Sequence, residues 1–153
     1  MMYSYLLLAH SYFRWLALLV LVALYILVWM RKRSSTVLTS TNYRWMIFAV
    51  IVLDVQWLLG LLLYSQSPLV MAFWSNIPLG ISDRQIRFFG LEHFTMMQLG
   101  LLLLNIYVYK CRKMIGTNGA YRYLLKRMHW VMLILLSSIP WSFSPLTSRP
   151  NWR

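Results

Sequence analysis

Apolar residues in this chain fall into four long blocks, about Tyr5–Met30, Trp45–Tyr64, Ile86–Tyr109 and Leu124–Trp141, separated by short polar links. A helix crosses the hydrocarbon layer with roughly 20 apolar residues, a length the first three blocks reach. The fourth has 18, and Lys126 and Arg127 near its start must snorkel toward the head groups. The blocks are continuous and do not alternate with period two, which argues against a β-barrel. With 60% apolar and 12% charged residues the chain is not an ordinary soluble domain. The expected fold class is all-α: one integral membrane domain over residues 1–153, built as a four-helix bundle.

The first block does not read as a cleaved signal. It lacks a basic leading region, is too long for a signal core and ends in Arg31-Lys32-Arg33, a stop signal that holds it in the membrane. Ten of the 15 basic residues lie in two links: Arg31, Lys32, Arg33 and Arg44 between blocks one and two, and Lys110, Arg112, Lys113, Arg122, Lys126 and Arg127 around the junction of blocks three and four. Lys and Arg mark the cytoplasmic side, so both termini are expected outside, N-out and C-out. The net charge of +12 is thus topological and should favour anionic head groups, not nucleic acid. Cys111 is the single cysteine, so no internal disulfide forms.

The carboxylates narrow the reading further. Three acidic residues occur, and two of them, Asp54 and Glu92, sit inside the apolar blocks. An ionisable group in hydrocarbon costs a few kcal/mol or more, so it pairs, ligates or moves a proton. His10 and Arg14, four apart on block one, share a helix face, and His93 follows Glu92 directly. Counting inward from the basic clusters at ~1.5 Å per residue, Arg14, Glu92 and His93 share a level in the outer half, with His10 a turn above. The same count sets Asp54, Gln56, Gln98, Ser137 and Ser138 near the midplane. Arg14 is expected to pair with Glu92, and Asp54 to bond Gln98 or a serine. His129 falls at the inner interface, far from the other histidines.

On block three, Gly90, His93, Met97 and Gly100 form a stripe at spacings of 3, 4 and 3. A histidine flanked by glycines suits the edge of a haem, and it equally suits close helix packing through small residues. The external link Ser65–Gln85 carries an apolar stretch, residues 68–74, able to fold over the bundle. Ser82-Asp83 reads as a helix cap, as does Ser40-Thr41-Asn42 before block two.

The set His10-Ser11-Tyr12-Phe13-Arg14-Trp15, Asp54-x-Gln56 with Gly60 and Tyr64, Arg87-Phe88-Phe89-x-x-Glu92-His93 and Ile139-Pro140-Trp141 resembles a family of small four-helix bacterial membrane proteins grouped under the name cytochrome b. The likeness touches all four blocks. It implies an inner-membrane location and functional positions at His10, Arg14, Asp54, Gln56, Glu92 and His93. Diheme cytochromes b carry two histidine pairs at two depths, whereas this chain has one pair at most.

The function expected on these grounds is a b-type haem protein passing electrons at the outer side. His10 and His93 are the axial ligands, each needing an acceptor for its other ring nitrogen. Arg14 would neutralise a propionate, Gly90 would admit the ring and the Phe73–Trp74 stretch would shield it. The electron partner would be a quinol or a neighbouring subunit. The alternative is a non-catalytic subunit of a larger membrane complex, in which Arg14, Glu92 and Asp54 lock the bundle.

Overall fold

The computed structural model describes residues 2–141 and is helical throughout, with no strand among the described residues. The chain runs through α1 (Met2–Arg33), α2 (Ser40–Tyr64), the short α3 (Pro68–Ser75), α4 (Ile77–Ser82) and α5 (Arg84–Arg87), a π-helical turn (Phe88–Glu92), α6 (His93–Cys111), a 3₁₀ turn (Arg112–Met114) and α7 (Gly119–Ser137). The C-terminal tail, including Arg149 and Arg153, lies outside the described residues.

Among the described residues, three spans are long and apolar enough to cross a membrane: Met2–Arg33, Ser40–Ser65 and Arg84–Met114. The fourth helix, α7, carries Arg122, Lys126 and Arg127 in its first half. It begins five residues before the expected Leu124 and stops at Ser137, not Trp141. Pro140 explains the early stop, because a proline disfavours helical geometry in the residue before it. α1 packs against α2 and α7, and α6 packs against the same two helices. Many large apolar side chains remain bare, among them Leu19, Ile51, Leu102 and Leu133. In lipid such faces carry no penalty.

The tightest packing lies at the basic end. Val28, Leu38, Met46, Leu104, Val108, Tyr121, Leu124 and Met128 are fully enclosed there. The two links at this end bond each other: Leu38 N–H donates to the Thr117 carbonyl at 3.0 Å, and Gly116 N–H to that of Leu38 at 2.8 Å. Gly116 sits at φ 86, which favours glycine. The Asn42 amide adds a donor to the Tyr121 hydroxyl at 2.9 Å. Thr39, one residue before the expected cap, caps α2 by accepting from Asn42 N–H at 3.1 Å. Asp83 caps α5, as its sequence position suggests, accepting from Ile86 N–H at 2.8 Å.

At the opposite end, the link between α2 and α6 is folded. Pro68 starts α3, its missing N–H being one the first turn leaves unbonded anyway. α3 lays Val70 and Phe73 inward, and α3 and α5 both contact the π turn. This cover closes one end of the helix assembly, directly above His93.

Candidate functional site

The π turn prepares the site. The amide of His93 bonds the carbonyl of Phe88, five residues back instead of four. A widened turn changes which faces its residues share, and such insertions occur often at functional sites. Gly90 and His93 therefore do not form the regular stripe that their spacing of three suggests. Gly90 turns to α3: a Cβ there would stand 2.5 Å from both Cβ and Cγ of Phe73. The close approach at Gly90 belongs to a ring of the chain itself, not to the edge of a cofactor. Gly100 likewise faces Leu135 on α7, at 2.6 Å from Cδ2 to a built Cβ, which makes it a helix-packing glycine.

His93 points elsewhere. Its Nδ1 lies 2.6 Å from the carbonyl oxygen of Ser138, just past the end of α7. A carbonyl only accepts, so Nδ1 carries a proton, and in the neutral ring Nε2 keeps its lone pair. Phe88 and Phe89 flank the ring, with centroids 5.7 and 6.2 Å away. One nitrogen is spent on orientation and the other is presented, the arrangement expected of a ligating histidine.

His10 reaches the same cavity from α1. This cavity, about 160 Å³ and partly open, is lined by α1, α2, α3, α6 and the end of α7, and His10, Arg14, Gln56, Trp57, Gly60 and His93 are among its walls. The Gln56 amide nitrogen lies 3.2 Å from His10 Nδ1 and 3.3 Å from Nε2. A point almost equidistant from both nitrogens lies over the ring face, because in the ring plane it would collide with Cε1. Gln56 also donates to the His10 carbonyl at 3.1 Å. Behind the ring stands Gly60, where a Cβ would meet His10 Cε1 at 3.0 Å.

The structure brings together His10, Arg14, Gln56 and His93 and leaves the other expected residues apart. Gln56 was counted to the midplane with Gln98, yet it sits at the level of His10. Basic side chains snorkel, so their backbone positions mark the membrane boundary only loosely. Gln98 is half-buried on α6 and does not line the cavity. Glu92 does not pair with Arg14. Its carboxylate takes the Arg87 Nε–H at 2.7 Å, one turn earlier on its own segment, with both side chains about one-third exposed. Arg87 also donates to the Ile81 carbonyl at 2.7 Å, tying the π turn to α4. Arg14 lies beside Trp15, its guanidinium carbon 5.5 Å from the ring centroid. Asp54 accepts from the Asn105 amide at 2.9 Å, not from Gln98 or a serine.

Trp57 lay outside the sequence reasoning, and the roles of Gln56 and Tyr64 went beyond it. Trp57 turns a buried indole N–H without a hydrogen-bond partner toward this region, and Gln56 holds a buried carbonyl oxygen in the same condition. One donor and one acceptor thus stand without a hydrogen-bond partner beside the histidines of this cavity. Tyr64 donates to the Gly90 carbonyl at 2.8 Å and accepts from the Trp74 indole at 3.0 Å, which pins the α3 cover over the site. Comparison of the chain with protein-family models, with curated proteins and with solved structures finds no match.

Proposed function

We propose that the chain is a b-type haem protein of a bacterial inner membrane, a four-helix bundle with both termini outside that carries single electrons near its outer face. The reading rests chiefly on one observation: His10 and His93, from facing helices, line one cavity, and the Ser138 carbonyl fixes His93 as a lone-pair donor. Two imidazoles with available nitrogens and a neighbouring arginine are the donor set that haem b takes. When bound, haem supplies reversible one-electron chemistry.

The chain's own residues do the rest. His93 would hold the iron through Nε2, its ring locked by Ser138. His10 would supply the second imidazole, with Gly60 behind it and Gln56 across its face. Arg14 would set its guanidinium against a propionate, since an arginine fork matches a carboxylate. Phe73, Tyr64 and Trp74 would keep water from the site. Gly90 serves this cover, not the cofactor. The electron partner is a membrane quinol or a neighbouring subunit.

The resemblance to the small cytochrome b family supports the same reading through His10, Arg14, Gln56 and His93. The test is a pyridine haemochrome assay on protein purified from haem-replete cells. About one haem b per chain is expected, and a haem-free, correctly folded protein would overturn the proposal.

A further inference from the structure

We propose that a groove between the end of α1 and the first half of α7 binds the head group of an anionic phospholipid. The groove, about 420 Å³, is walled by Lys32 on α1 and by Arg122, Leu125, Lys126, His129 and Trp130 on α7. It lies at the basic end, away from the histidine cavity, and does not depend on what that cavity holds.

The local charge favours an anionic ligand. Lys32, Arg122 and Lys126 are all exposed, and the chain contains only three acidic residues. Asp83 caps α5, Glu92 holds Arg87 and Asp54 accepts from Asn105. Among the described residues no side-chain carboxylate is left to neutralise the groove. A phosphate diester would do so, and basic pockets between membrane helices take such head groups.

The grading along the groove distinguishes a lipid from a free phosphate. Arg122, Lys126 and Trp130 are spaced four apart and share one face of α7. At ~1.5 Å per residue, Trp130 lies some 12 Å further along the helix than Arg122. The cations therefore line the groove at Arg122 and Lys126, with the buried Leu125 between them, and the bare Trp130 ring, 66% exposed, follows one turn further along α7. Its indole has the character of an interfacial anchor. His129 is held in place by its ring contacts. Its Nδ1 donates to the Leu125 carbonyl at 2.6 Å, and its Nε2 takes the Tyr25 hydroxyl proton at 3.2 Å. A charged head above an apolar, aromatic wall matches a phospholipid, whereas a free phosphate would use only the cations.

The experiment uses the full chain, purified and delipidated, with phosphatidylglycerol, cardiolipin, phosphatidylcholine or soluble glycerol phosphate added back. Binding is read by native mass spectrometry and by the shift in melting temperature. The anionic lipids should stay bound and raise the melting temperature, while phosphatidylcholine and glycerol phosphate should do neither. Replacing both lysines, K32Q with K126Q, should weaken retention roughly tenfold or more. Removing equal charge from the same end but outside the groove, K110Q with K113Q, should leave it intact. Trp130→Ala should weaken lipid retention as well. Equal loss in the two double variants, or retention of phosphatidylcholine to the same degree, would overturn the site. Equal binding of glycerol phosphate would show an anion site without lipid. If K32Q/K126Q fails to fold, lipid selectivity in the unaltered chain and the Trp130→Ala variant still decide.

Discussion

His93 gives its Nδ1 proton to the carbonyl of Ser138 across 2.6 Å, and this bond ties the start of α6 to the end of α7. It fixes which nitrogen the ring presents. The π turn before it fixes where the ring points. The functional reading depends on this pair, and the predictions that follow separate it from the packing around it.

Gly90→Ala should destabilise the fold more than Gly100→Ala. At Gly90 the new methyl meets Cβ and Cγ of Phe73, close to the α3 backbone, while at Gly100 it meets the flexible end of Leu135. The first should cost about 1–3 kcal/mol and loosen the α3 cover; the second should cost less. Thermal melts and limited proteolysis of α3 check this. Greater damage from Gly100→Ala would mean the α3 cover is not seated as described.

Asn105→Leu should destabilise by about 1–3 kcal/mol, because it strips the donor from a half-buried carboxylate. Asp54→Asn placed on that background should recover most of the loss. Thermal stability in detergent reads both variants. An Asn105→Leu protein as stable as wild type would show that the Asp54 contact carries no weight.

Arg87→Gln should be mild, about 1 kcal/mol or less, since its partner Glu92 is 39% exposed and such pairs contribute little. A collapse of expression in this variant would mean the α4 tether through Ile81 matters more than the ion pair.

Gly60→Ala should act on the site and not on the fold at large. Its methyl would press on His10 Cε1 from 3.0 Å and turn the ring. The expected result is a shifted absorption spectrum or weaker haem retention, with a smaller stability loss than in Gly90→Ala, about 1 kcal/mol. His129→Ala should leave the spectrum unchanged, because both nitrogens of that ring are already engaged with Leu125 and Tyr25.

Much of this fold could be read from block length and charge. The helical character and three membrane-compatible spans follow from runs of about 20 apolar residues, and the capping role of Asp83 follows from its position. Partner identity was less legible, for two physical reasons. Depth counted from basic residues carries an error of a turn or more, because long cationic side chains reach along the membrane normal; Gln56 was misplaced in this way. Face assignment assumes 3.6 residues per turn, and the π turn at Phe88–Glu92 breaks that phase. So Gly90 was set beside His93, while the depth count, which put Glu92 level with Arg14, gave it that partner and not Arg87. His10 and His93 still converge on one cavity. Trp57 and Asn105 gave no sequence signal, since one reads as an apolar aromatic and the other as an ordinary helix residue.

The central claim, that His10 and His93 hold one haem between them, is tested most directly by electron paramagnetic resonance of the oxidised, purified protein. The account predicts a low-spin ferric signal in the wild type. It predicts conversion to a high-spin signal, or loss of haem, in His10→Ala, loss of haem in His93→Ala, and no change in His129→Ala. A wild-type sample without ferric haem, or a low-spin signal that persists in both His10→Ala and His93→Ala, would contradict it.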